Sequence, residues 1–172
     1  MNIIFIRLEQ PLNKYTFKAP KIRKWVEEQC REKFTLNLFA GPTVLHGFPI
    51  ITNDLNEAFP TSYHMDALDC VNMLKKEGVK VKRVLLDPPY SYRKSMELYQ
   101  GKYNSRFKQL LDVLPEVLAS DGWVITFGYQ SSVMSRKRGF AIREICLISH
   151  GGAQHDTIAT VEERINNLEV IS

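Results

Sequence analysis

Asp87, Pro88, Pro89 and Tyr90 follow directly on the apolar run Val84-Leu85-Leu86, and together they can grip a planar amino group. The Asp87 carboxylate accepts one amino hydrogen. An Asp-Pro-Pro backbone, short of two N–H donors and restricted in φ, offers a fixed carbonyl for the other. The Tyr90 ring can stack on the flat group that carries the nitrogen. An exocyclic amino nitrogen of a nucleobase is a weak nucleophile because its lone pair is delocalised into the ring. Two acceptors on its hydrogens favour the pyramidal geometry that frees that pair, and they stabilise the positive charge that develops during transfer. Asp87, Pro88, Pro89 and Tyr90 are therefore the candidate catalytic residues.

Beyond the tetrapeptide the chain interleaves charges with rings: Tyr92, Arg93, Lys94, Tyr99, Lys102, Tyr103, Arg106 and Lys108. Cations among aromatics suit phosphate contact plus base stacking. Tyr92, Arg93, Lys94, Lys102, Tyr103 and Arg106 are the candidate nucleic-acid-binding residues, and Arg136-Lys137-Arg138 adds a second basic cluster. His150 and His155 flank a glycine turn, with Asp156 beside them. No cysteine accompanies them and a glycine-rich hairpin accounts for the segment, so no metal site is expected.

D-P-P-Y after a hydrophobic strand resembles motif IV of the S-adenosylmethionine-dependent amino-methyltransferases, which methylate exocyclic nitrogens of adenine, cytosine or guanine. Other segments extend the resemblance in the family's order. Phe17-Lys18-Ala19-Pro20-Lys21 is similar to motif X, which in the family contacts and covers the cofactor's methionine carboxylate, and it marks Lys18 and Pro20. Asn37-Leu38-Phe39-Ala40-Gly41 is similar to motif I, D-x-F-x-G, where a glycine lets the backbone approach the methionine part. Asn37 replaces the usual acid there, and Pro42 and Thr43 stand where a second glycine is often found. Asp54 falls where the family places an acid for the vicinal ribose hydroxyls, a fitting residue because a carboxylate can accept two bonds from a diol. An Asx turn with Asn53 is the alternative. Asp66-Ala67 matches the acid that receives the adenine amino group, while Asp66 is equally a good helix N-cap.

The resemblance implies S-adenosyl-L-methionine as cofactor, held by Lys18, Pro20, Phe39, Ala40, Gly41, Asp54, Asp66, Ala67 and Asp87. It implies methyl transfer to a base amino nitrogen, with adenine N6 in DNA as the expected target. An RNA base is the alternative polymer. A third reading, from another class, is a cofactor-binding adaptor without catalysis, which the altered motif I would favour. No target-recognition domain of the size common in sequence-specific DNA enzymes fits within 172 residues. Specificity then falls to residues 91–105, to a homodimer partner or to a specificity subunit. The string from Ser149 to Thr157 is also similar to the tail of small archaeal D-P-P-Y/F proteins.

The elements that must position these residues are legible in the apolar periods. Residues 3–7 read as a strand, and 14–20 as an extended basic lead-in. Pro20 opens a helix whose Ile22, Trp25, Val26 and Cys30 share one face. Residues 35–39 and 48–52 read as strands, and 63–65 as a third short one. Asp66 caps a helix with Leu68, Val71 and Leu74 inward and Gly78 at its end. Residues 81–86 form the strand that carries Asp87. Phe107, Leu110, Leu111, Leu114 and Leu118 keep helical spacing, and Pro115 either kinks that helix or starts a second one. Residues 122–127, 141–149 and 157–161 complete the strands. Alternating strands and helices with a closing antiparallel hairpin predict an α/β, three-layer sandwich on a mostly parallel seven-stranded sheet, the class I methyltransferase (Rossmann-like) order.

Composition agrees and excludes little else. With 44% apolar and 24% charged residues, the chain can bury one core, read as a single domain over 1–172. A net charge of +4 permits a polyanionic partner without demanding one. Cys30, Cys70 and Cys146 are dispersed, which fits reduced thiols and a cytoplasmic setting. Ile3-Ile4-Phe5-Ile6 is too short for a secretory or membrane segment.

Overall fold

The computed structural model describes residues 2–89, 106–152 and 154–165. Its strands are β1 (Ile4–Glu9), β2 (Thr35–Asn37), β3 (Ile50–Thr52), β4 (Val81–Leu86), β5 (Leu118–Gly128), β6 (Phe140–Ser149) and β7 (Thr157–Arg164). Its helices are α1 (Pro20–Cys30), α2 (Ala67–Lys76) and α3 (Arg106–Val113). The strands form one sheet in the order β1-β6-β7-β5-β4-β2-β3. All neighbours run parallel except β7, which is antiparallel to both β5 and β6. The expected α/β sandwich with a closing hairpin is present. The seventh strand is β1, which joins β6 at the sheet's edge.

Two cores flank the sheet. On one face α1 presents Ile22, Trp25, Val26 and Cys30 to Leu85, Ile125, Phe127, Cys146 and Val161. The Trp25 indole N–H donates to the buried Glu144 carboxylate at 2.8 Å, so the helix is fixed by direction as well as by apolar contact. On the other face α2 and α3 lay Leu68, Val71, Leu74, Leu110 and Leu111 over Leu36, Val84, Leu86 and Val124. Pro115 lies in a separate 3-10 turn, Leu114–Glu116, the second of the two expected outcomes.

Strand β3 starts two residues late, at Ile50, β1 runs on to Glu9 and β7 to Arg164, and three further boundaries differ from the apolar pattern for a visible physical reason. β2 stops at Asn37 because Ala40 turns away to donate to the Asn53 carbonyl. Residues 63–65 make a single parallel bridge, Asn53 to Tyr63, rather than a strand. β5 starts four residues early, at Leu118, through a register shift opposite β4 between Val81 and Arg83. Gly122 permits that shift, since a Cβ there would overlap the Leu118 side chain.

The strand order places the site. From β2 the chain moves outward to β3, then crosses back so that β4 pairs with the other side of β2 and leads on to β5. The connections beyond β2 and β4 therefore diverge, which opens a crevice at their carboxyl ends. Phe39-Ala40-Gly41 leaves one of these ends and Asp87-Pro88-Pro89 leaves the other.

Candidate functional site

A cavity of about 360 Å³ occupies this crevice. Its walls come from Phe39, Ala40, Gly41 and Thr43 after β2, Asp54 after β3, and Asp87, Pro88 and Pro89 after β4. Lys14, Tyr15, Thr16 and Phe17 close it from the lead-in to α1, together with Phe59. Tyr15 packs edge-on against Phe59 at 5.9 Å, and the ammonium groups of Lys14 and Lys18 each lie 5.2 Å from its ring centroid. These cation–π contacts hold the ring as a cover over the cavity mouth.

Gly41 adopts φ +62°, a conformation costly for any residue with a Cβ, and so points its N–H at Asp54. That N–H donates to Asp54 Oδ2 at 2.9 Å, while Asn56 N–H donates to Oδ1 at 2.9 Å. The Asx turn forms with Asn56 and not with Asn53, and each carboxylate oxygen of Asp54 keeps a second lone pair. A second cavity of about 100 Å³ adjoins the first, lined by Leu38, Asn53, Leu55, Met65, Asp66 and Ala67. The two cavities share Phe39, Asp54 and Pro89, with the Asp87 carboxylate lining the larger and Asp66 the smaller.

Asp66 caps α2, accepting from Leu68 N–H at 2.9 Å, and pairs with Arg106 Nη2 at 2.8 Å. Burial opposes its ionisation, yet the Arg106 hydrogen bond and the Leu68 amide hold its carboxyl below the usual value of 3.8. Arg106 also reaches Asp69 at 3.1 Å. The guanidinium expected to meet phosphate is therefore engaged in tying α3 to the start of α2.

Asp87, Pro88, Phe39, Ala40, Gly41 and Asp54 meet in the larger cavity, Asp66 and Ala67 in the smaller, and Pro89 in both. Lys18 and Pro20 do not line either cavity: Pro20 is exposed at the first turn of α1, and Lys18 contacts the Tyr15 ring from outside. The lead-in contributes Lys14–Phe17 instead, immediately before Lys18. Arg136–Arg138 form a 3-10 turn ahead of β6, whose first residue pairs with Arg164 at the opposite end of the sheet from the cavities. Arg138 is bound to Asp112 at 2.7 Å. Tyr90, Tyr92, Arg93, Lys94, Lys102 and Tyr103 lie outside the described residues. Both ring nitrogens of His150 are engaged, with the Gln10 carbonyl and the Thr157 hydroxyl, each at 2.8 Å. Among the described residues no cluster of His, Cys, Asp and Glu could hold a metal ion.

Tyr15, Thr43 and Phe59 were not singled out from the sequence. Only the basic lead-in hinted at Tyr15, and nothing near Phe59 marks it, because it reaches the cavity through a loop of Asx turns. Thr43 Oγ1 and both polar atoms of Asn37 are buried without a hydrogen-bond partner among the described residues. Buried polar groups in native proteins are almost always satisfied, so these atoms at the end of β2 and beside the cavity stand out.

No protein-family model matches the chain. It is 28% identical to the ribosomal RNA large subunit methyltransferase K/L of Pseudoalteromonas translucida, over 76% of this chain and 20% of that protein. TrmN from Thermus thermophilus superposes with a TM-score of 0.60 at 16% identity, over 86% of this chain and 49% of that one. The 1,6-didemethyltoxoflavin-N1-methyltransferase of Burkholderia thailandensis, solved with its substrate and S-adenosylhomocysteine, gives a TM-score of 0.56 at 10% identity, over 84% and 76%. The chain has the class I methyltransferase fold, α/β and Rossmann-like, with a seven-stranded mixed sheet. It spans a fifth of the length of its curated relative and about half that of TrmN.

Proposed function

We propose that the chain is an S-adenosylmethionine-dependent methyltransferase acting on an exocyclic amino nitrogen of a base in RNA. One observation carries this reading: Asp87-Pro88-Pro89 and the Phe39–Asp54 cradle line a single cavity at the switch point of the sheet. An amino-group acceptor and a site for a nucleoside-containing cofactor thus share one space.

The residues present fit that cofactor. Asp54 offers its remaining lone pairs to the ribose diol, and Phe39 and the smaller cavity by Asp66 and Ala67 suit the adenine. Gly41, Thr43 and the lead-in around Tyr15 suit the amino-acid end. When bound, S-adenosylmethionine supplies an electrophilic methyl group on a sulfonium, which needs no acid to activate it. Asp87 and the Pro88 carbonyl accept the two amino hydrogens of the target base and hold its nitrogen in line. Tyr15 and Phe59 exclude water from the crevice.

The relative matched by sequence is by name a ribosomal RNA methyltransferase, which supports RNA over the DNA target expected from the sequence. Incubation with methyl-labelled cofactor and separate RNA and DNA pools tests the choice. Label in RNA alone is the expected result, and label confined to DNA would reverse it.

A further inference from the structure

Tyr129 directly follows β5, and its ring is 54% exposed. β4 and β5 run parallel with Leu86 opposite Thr126, so the two chains leave the sheet side by side. Tyr129 therefore leaves the strand next to the one that carries Asp87, at the carboxyl end of both. The Tyr129 ring meets His155, from the β6–β7 hairpin, edge-to-face with centroids 6.4 Å apart and planes at 78°. His155 is exposed as well. Neither residue lines either cavity of the site.

The pair is anchored by its backbone and not by burial. Gly128 pairs with Ile158 of β7, and the Gln130 carbonyl accepts from Thr160 Oγ1 at 3.1 Å, so both neighbours of Tyr129 are tied to the sheet. Next in the chain, Glu162 is fully buried and binds Ser132 Oγ and the N–H groups of Val133, Met134 and Ser135 at 2.8 to 3.1 Å. A loop so tightly tethered holds an aromatic ring out in solvent, at the carboxyl end of the sheet where the cavities lie, at little entropic cost to a ligand that stacks on it.

We infer that Tyr129 and His155 form a stacking platform for an unpaired RNA base adjacent to the methylated one. The inference rests on the RNA reading above and adds a specificity element outside the cavity. Single-stranded RNA is recognised largely by stacking splayed bases on aromatic and histidine rings, and that contact tolerates sequence and neutralises no phosphate. A platform of this kind favours flexible loops or ends over paired RNA. It also leaves the ionic-strength dependence of binding to the lysines and arginines.

The test is fluorescence polarisation of the whole protein with a labelled single-stranded RNA oligonucleotide at several salt concentrations. Tyr129→Ala is expected to weaken binding roughly tenfold with the salt slope unchanged, and Tyr129→Phe to restore it. His155→Ala gives a smaller loss in the same direction. Binding of S-adenosylhomocysteine and the thermal midpoint stay at wild-type values in all three. Wild-type affinity in Tyr129→Ala, from a protein that methylates RNA, overturns the platform alone. Absence of RNA binding by the wild-type protein overturns both the platform and the RNA reading.

Discussion

Asp87 reaches the cavity because β4 ends at Leu86 and two prolines then forbid any continuation of the ladder. If its carboxylate accepts an amino hydrogen of the target, Asp87→Ala lowers kcat by about a hundredfold or more. S-adenosylhomocysteine should still bind measurably by calorimetry, because Gly41, Asp54 and Phe39 are untouched. Gly41 makes a separate demand, on conformation and not on charge. Its φ of +62° and its N–H bond to Asp54 are one arrangement. Gly41→Ala is expected to cost about 1 kcal/mol of stability and to weaken cofactor binding, as read by denaturant titration and calorimetry. Asp87 stood out in the sequence because its chemistry is local, four residues in a row. Phe59 and Thr43 did not, since only the folded loops bring them to the same cavity.

The helix α2 shows how a positioning element doubles as part of the site. Asp66 serves as its N-cap, as the sequence predicts, and its pair with Arg106 adds a tie to α3 that no local pattern reveals. Asp66→Ala removes the cap and should cost about 1 kcal/mol, whereas Asp66→Asn keeps the acceptor. The folded carboxyl is held below its ordinary value, so its contribution is fully present above pH 3.8 and is lost as acid titrates the folded group. Acid titration of the wild type and Asp66→Asn, followed by circular dichroism, should show a shallower loss in the variant. The loop after β5 depends in the same way on Glu162, which lies just past the strand 157–161 expected from the sequence. Its burial follows from β7 lying between β5 and β6. Glu162→Ala would orphan three backbone N–H groups and is expected to cost about 3 kcal/mol or more.

Across the whole molecule, alternating periods sufficed for the sandwich and its hairpin. They did not yield the early start of β5 or the loss of a strand at 63–65, because pairing register depends on partners distant in sequence. The core leaves a global signature in its thiols. Burial raises Cys30 and Cys146 to about 12 and Cys70 to about 11, from an ordinary 9.0. Below pH 9.0 all three are protonated whether folded or not; above it the unfolded chain loses protons that the folded one retains, so stability falls as alkali is added. Thiol-reactive dye at neutral pH should label none of the three until denaturant is present. Among the described residues no helix is long and apolar enough to cross a membrane.

The most direct measurement is mass analysis of nucleosides from RNA incubated with the protein and methyl-labelled S-adenosylmethionine, with Asp87→Ala in parallel. The Asp87 mechanism predicts one nucleoside methylated on its exocyclic amino group by the wild type and none by the variant. A methyl on a ring atom or a ribose, or equal yield from Asp87→Ala, would contradict it.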